Sequence, residues 1–245
     1  KLKNGIRIGM RRARAQGASS VSMKATDPEL HVAQCDAAVL AMRSEDIEEI
    51  VKGMEKHSAV ANVQGIGCEV LCMVAEAGKD VTIAKKGGIE AIIAAMEKHS
   101  AAANVEEQGC RALKNMAGND DNMVTIAKKH GIEAIIAAMK KHNTVANVQV
   151  QGCGALKMLA VNNDNKVTIA KKGGIEAIIA AMERHSAIAN VQKQGCGALR
   201  NLAVNNGNKA AIAKKDGIEA IIAAMERHSA VANVQEEGCG ALWNL

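Results

Sequence analysis

Gly88-Ile89-Glu90-Ala91-Ile92-Ile93-Ala94-Ala95-Met96 reappears letter for letter at 131–139, 174–182 and 217–225, each time 43 residues further on. Four copies at one period mark a tandem-repeat architecture, and the rest of the chain is read as repeats of that unit. Inside the motif, Ile89, Ile92, Ile93 and Met96 stand at i, i+3, i+4 and i+7, which predicts an amphipathic middle helix ending near His99. The following stretch, 104–117, places Val105, Ala112, Leu113 and Met116 on one face and predicts a long third helix. Asn104 and Glu107 have the spacing of a capping box at its start. A polar turn over 118–122 leads to a short helix carrying Val124, Ile126 and Ala127. Lys128 and Lys129 close it before His130 and Gly131, as basic residues and a glycine commonly do.

The units run 46–87, 88–130, 131–173 and 174–216, with a partial copy over 217–245. No helix of a single unit can bury its stripe alone, so the units must lean on their neighbours, which predicts an all-α solenoid. Gly109, Gly152, Gly195 and Gly238 recur inside the third helix, where each costs roughly 1 kcal/mol relative to Ala, so a close helix approach is expected at each. Ahead of the repeats, 27–45 reads as an N-terminal capping segment: Asp27 and Pro28 start a helix whose face holds Val32, Cys35, Val39 and Met42. The last copy stops part-way at Leu245 and the chain begins without Met, so an excerpt of something longer is expected.

Hydrophobic residues make up 48% of the 245 and charged ones 23%, with one Pro, a composition that folds rather than stays disordered. Phe and Tyr are absent and Trp occurs once, so the core must be aliphatic and aromatic hot spots are nearly excluded. The net charge of +5 is uneven. Seven basic residues and no acidic one fall within 1–26, which leaves 24 basic against 26 acidic in the remainder. The repeats therefore lack the positive stripe that nucleic acid requires. Five of the seven Cys recur at one place in successive copies, which reads as buried thiols in a reducing, intracellular compartment rather than a disulfide framework. No apolar run approaches the 18 or so residues of a membrane span.

The succession of an Asn/Asp turn, a short helix, Gly-Ile, a second helix and Gly-Cys-Gly-Ala-Leu-Arg-Asn-Leu-Ala (195–203) resembles the armadillo repeat over roughly 44–245. That resemblance implies a right-handed superhelix whose third helices line a concave groove for extended peptides or partner proteins. The family's usual Pro near the start of the second helix is replaced by Glu90, Glu133, Glu176 and Glu219, acids that suit a helix N-terminus. In the nuclear-import adaptors of the family, a Trp and an Asn four residues later hold a basic peptide. The Trp positions here are Glu69, Arg111, Gly154, Gly197 and Gly240. At the Asn positions Asn115, Asn201 and Asn244 remain, beside Met73 and Met158. A basic localisation peptide held in that manner is not expected.

The Asn ladder is the first candidate site, because an amide both donates and accepts and can hold a peptide backbone. The plainer alternative is that these amides bond only within their own repeats. Helices packed about 8 to 10 Å apart match roughly three residues of extended ligand, which favours long, weakly specific partners. Arg111, Lys114, Lys157, Arg200 and Trp243 edge the same surface. Asn201→Ala with Asn244→Ala is expected to weaken partner binding without loss of helicity. His57, His99, His142, His185 and His228 form a second ladder, read as structural because each follows a helix C-terminus and copies one repeat apart cannot share a metal. The Lys pairs beginning at 85, 128, 171 and 214 have the same dipole explanation, or line an edge for an acidic partner. His31, Cys35, Cys68 and Cys72 have zinc-like spacing, weighed against buried thiols with a surface His, and no metal is assigned. Gly65 and Gly67 follow no strand and make no phosphate loop. No cofactor and no catalytic constellation is read, since an active site needs one asymmetric set of groups and the polar residues here recur.

The basic segment, with Arg7, Arg11, Arg12 and Arg14, supports two readings. It resembles a transit peptide for a plastid or mitochondrion, with 19–25 as the processing region, or it is an arm that docks into an acidic partner or the rod itself. The function expected is a non-catalytic protein–protein interaction scaffold, a subunit or segment of a larger assembly, using the concave third-helix face and the arm. The alternative is a cargo adaptor for an extended peptide, with the arm as internal competitor.

Overall fold

The repeated nonapeptide opens a helix in every copy of the computed structural model, which describes residues 46–245: Gly88–Lys98, Gly131–Lys141, Gly174–Arg184 and Gly217–Arg227. Ile47–Lys56 is the corresponding middle helix of the first copy. Third helices follow at Ala61–Val74, Ala103–Met116, Ala146–Leu159, Ala189–Leu202 and Ala232–Asn244. Short helices at Asp80–Lys85, Asp120–Lys128, Asn163–Lys171 and Asn206–Lys214 join one copy to the next. Short packs on short, middle on middle and third on third, and no strand occurs among the described residues. The chain is an all-α solenoid. The basic segment 1–26, with Arg7, Arg11, Arg12 and Arg14, and the capping segment 27–45 lie outside the described residues.

The corner between short and middle helix explains why the motif begins with Gly. The preceding residue is left-handed in each copy: Gly87 (φ 77°), His130 (φ 63°), Gly173 (φ 81°) and Asp216 (φ 59°). The chain then doubles back so tightly that a Cβ on Gly131 would lie 2.6 Å from Ile126 Cγ2 and 2.9 Å from Ile126 O. His130→Gly should stabilise the fold by about 0.5 to 1 kcal/mol, relief of left-handed strain outweighing the added freedom of the unfolded chain. A thermal melt in which the variant unfolds no later than the parent would contradict this.

The third helix starts one residue earlier than its sequence pattern indicates, and the expected Asn104/Glu107 capping box does not form. Ala102 is the N-cap, without a side-chain bond. A glutamine one turn into the helix does the work instead. Gln149 Nε2 donates to Met139 O at 3.0 Å and His142 O at 2.9 Å, gathering carbonyls left open at the end of the middle helix. Gln64, Gln192 and Gln235 repeat both bonds in their own copies. Short helices are capped by Asn119, Asn162 and Asn205, whose side chains accept from the first turn. Where the first copy has Ala77 in that place, the chain makes a π turn over Ala75–Lys79 and the short helix waits until Asp80.

The recurring glycines of the third helix sit where the sequence requires contact. A Cβ on Gly109, Gly152, Gly195 or Gly238 would lie 2.5 Å from Cγ of Met96, Met139, Met182 or Met225, so middle and third helices close to a distance only Gly allows. Around these contacts runs one continuous core of Ile, Leu, Val, Met, Ala and Cys.

Candidate partner-binding wall

Side-by-side packing of the third helices makes a wall along which equivalent side chains recur. The Asn ladder lies on it, but its amides bond neither to their own repeat nor outward. Asn201 Nδ2 donates to Lys157 O at 2.9 Å and Asn244 Nδ2 to Arg200 O at 3.0 Å, each a carbonyl of the preceding third helix. Asn115 Nδ2 reaches Cys72 Sγ at 3.0 Å and Glu76 Oε1 at 2.9 Å. These donors stitch copy to copy, so Asn201→Ala with Asn244→Ala would loosen stacking as well as alter the surface.

Two further ladders join the copies. His99, His142, His185 and His228 direct Nε2 at the carbonyls of Ser58, Ser100, Asn143 and Ser186 in the copy before, at 2.7 to 2.8 Å. A carbonyl only accepts, so each ring carries its proton on Nε2. These rings thus face the neighbouring copy rather than the helix end that their sequence position indicates. Buried Asn208 likewise donates to Lys166 O of the previous short helix at 3.1 Å, and Asn165 to Met123 O at 3.3 Å. Within each copy, the second lysine of the Lys pair is taken up by the middle-helix glutamate of the same copy: Lys86 with Glu48, Lys129 with Glu90, Lys172 with Glu133 and Lys215 with Glu176.

The positions where the import adaptors carry Trp hold something else. Arg111 pairs with Glu76 at 2.9 Å. Gly154, Gly197 and Gly240 are floors over which the cation of the copy before lies flat. A Cβ at Gly154 would meet Lys114 Cδ at 3.0 Å, one at Gly197 would meet Lys157 Cε at 2.8 Å, and one at Gly240 would meet Arg200 Nε at 2.7 Å. The glycines thus make room for a row of half-buried cations, their stems packed along the wall. Lys157 and Arg200 both end on one carboxylate, Glu237, two copies and one copy further along the chain. Lys114 Nζ instead donates to the neutral Gln151 Oε1 at 2.8 Å. Burial holds its ammonium below the usual lysine range. Trp243, the chain's one Trp, occupies the same repeat position as these cations.

Burial pushes the Cys68, Cys72, Cys153 and Cys196 thiols up to about 12, so they stand uncharged in the core at neutral pH. His31 and Cys35, the other half of the zinc-like set, lie outside the described residues. Among the described residues no helix is long and apolar enough to cross a membrane. Two residues stand apart from their ladders, and only lining up all copies reveals them. Glu237 is the acid in a column that holds Ile66 in the first copy and Gln108, Gln151 and Gln194 in the next three. Glu106 is the acid in the column of helix-bracing glutamines. Glu106 is 2% exposed, its Oε2 has no partner, and burial pushes its carboxyl up to about 8.

Fold and wall together define a class, a helical-repeat solenoid built by stacking. Among solved structures the chain is similar to an engineered protein of the Northeast Structural Genomics Consortium, at 25% identity and TM-score 0.72, over 90% of this chain and 92% of that one. It is also similar to a chain from work on a conserved phosphorylation switch controlling the interaction between cadherin and beta-catenin. That match has 16% identity and TM-score 0.53, over 88% of this chain and 48% of the other, so this chain spans about half that length. No family model matches the chain, and no curated protein does.

Proposed function

We propose that the chain is a non-catalytic protein–protein interaction scaffold of armadillo type, which holds an extended segment of a partner along the concave side of its third helices. The observation that carries this reading is the row of Lys114, Lys157 and Arg200 laid over Gly154, Gly197 and Gly240, with Trp243 at the same repeat position in the last copy. It is a periodic, cation-rich surface. The similarity to a chain from the cadherin and beta-catenin study supports the fold that such a role needs. The basic arm, with Arg7, Arg11, Arg12 and Arg14, would add a second contact to an acidic partner.

Affinity capture from an extract, with Lys114→Ala plus Trp243→Ala set beside Glu97→Ala plus Glu183→Ala on the middle helices, tests the assignment. The wall variant should lose the proteins that the parent retains while the middle-helix variant keeps them. Identical capture by both would place the partner surface elsewhere.

A further inference from the structure

The chain contains a worked example of what its wall binds. Lys157 of one third helix and Arg200 of the next share the carboxylate of Glu237, from the helix after that. Glu237 is 12% exposed at its side chain, and Gly197, which lacks a side chain, lets the ammonium of Lys157 reach past it. Moving this arrangement back by one repeat gives Lys114, Lys157 and position 194, over the floor of Gly154. There the chain supplies a neutral amide: Gln194 stands where the repeat places Glu237, its Oε1 3.5 Å from a Cβ built on Gly154. Lys114 makes no ion pair among the described residues and is satisfied only by the Gln151 amide oxygen. Its stem is nevertheless held flat by Gly154, as the stem of Lys157 is held by Gly197.

Resting on the reading of the third-helix wall as the partner face, we infer that the place between Lys114 and Lys157, floored by Gly154 and flanked by Gln151 and Gln194, takes a side-chain carboxylate from an extended partner segment. Geometry and charge both favour it. An ammonium has three donors, so Lys157 can serve Glu237 and a ligand carboxylate together. The amides of Gln151 and Gln194 offer N–H donors to the same anion, where a second internal acid would repel it. Repeat spacing sets the partner's pattern, with acids about three residues apart, since packed helices stand roughly 8 to 10 Å apart and an extended chain rises about 3.3 Å per residue.

The test uses the 245-residue chain and a fluorescent Gly/Ser peptide carrying Glu at every third residue, with Gln and Lys counterparts, followed by anisotropy at low and high salt. The Glu peptide should bind at least about tenfold more tightly than the Gln peptide, and the advantage should shrink in high salt. Lys114→Gln should weaken it by about tenfold, and Gln194→Glu, which plants a second internal carboxylate, by about as much. Glu237→Gln, which releases Lys157 and Arg200, should strengthen it. Far-ultraviolet circular dichroism should show unchanged helicity in all three variants. Equal binding of the Glu and Gln peptides, a silent Gln194→Glu, or absence of binding would overturn the carboxylate assignment. So would displacement of the Glu peptide by single-stranded oligothymidylate, in favour of a phosphate backbone. If the Gln peptide binds as well as the Glu peptide and Trp243→Ala weakens both, the partner wall stands and only its charge preference fails.

Discussion

Replacing Glu106 with Gln is expected to stabilise the chain by about 3 kcal/mol at neutral pH. In the other copies this position is a Gln whose amide donates to two carbonyls at the end of the middle helix. A carboxylate cannot donate at all, and Glu106 is buried with an unpartnered oxygen. Burial raises its carboxyl from 4.5 to about 8, against the weaker pull of Lys141, while Cys68 and Cys110 on the packed third helices remain uncharged thiols. The native state therefore binds a proton that the unfolded chain releases. Stability is undiminished below pH 4.5, declines as pH rises towards about 8, and levels off above it. Thermal melts across this range should show parent and Glu106→Gln diverging as pH rises. Parallel curves would mean that the carboxyl is solvated.

The second large effect runs the other way. Gly174→Ala should destabilise by about 2 kcal/mol, although Ala ordinarily favours a helix. The new Cβ would lie 2.4 Å from Ile169 Cγ2 and 2.9 Å from Ile169 O, a β-branched side chain and a backbone carbonyl that cannot swing aside. Gly53, inside the first middle helix with nothing within 4 Å of its missing Cβ, supplies the control. Gly53→Ala should gain up to about 1 kcal/mol in the same urea titration. If the two substitutions shift the midpoint in the same direction, the tight corner does not limit the repeat.

What was legible in the sequence, and what was not, divides along physical lines. Helix content, unit length and the burial of Ile89, Ile92, Ile93 and Met96 follow from periodicity, because a stripe at 3.6 residues has one stable use. The glycines at 109, 152, 195 and 238 could be read as close contacts because their helix cost needs a compensating approach. Capping was misread, since Asn104 and Glu107 fit a spacing rule while the helix starts at Ala103 and is braced by Gln in most copies. The Asn and His ladders were visible as columns, yet their partners lie 39 to 44 residues away in the preceding copy, and one repeat's sequence carries no information about which neighbouring group a side chain will meet. Glu106 and Glu237 escape any motif. They matter because Gln fills the rest of the Glu106 column and the three copies before Glu237, a signal that appears only when the copies are compared with one another.

The pairing of Lys157 and Arg200 on Glu237 makes the wall partly self-occupied, and the neighbouring Lys114 is the cation left with neutral partners. The most direct measurement is a nuclear magnetic resonance titration of the isotope-labelled chain with the Glu-spaced peptide, following backbone amides and the side-chain amides of Gln151 and Gln194. The account predicts saturable shifts confined to the third helices and centred on Lys114, Gln151, Lys157 and Gln194. Shifts centred on the middle helices, with these four residues unmoved, would contradict it.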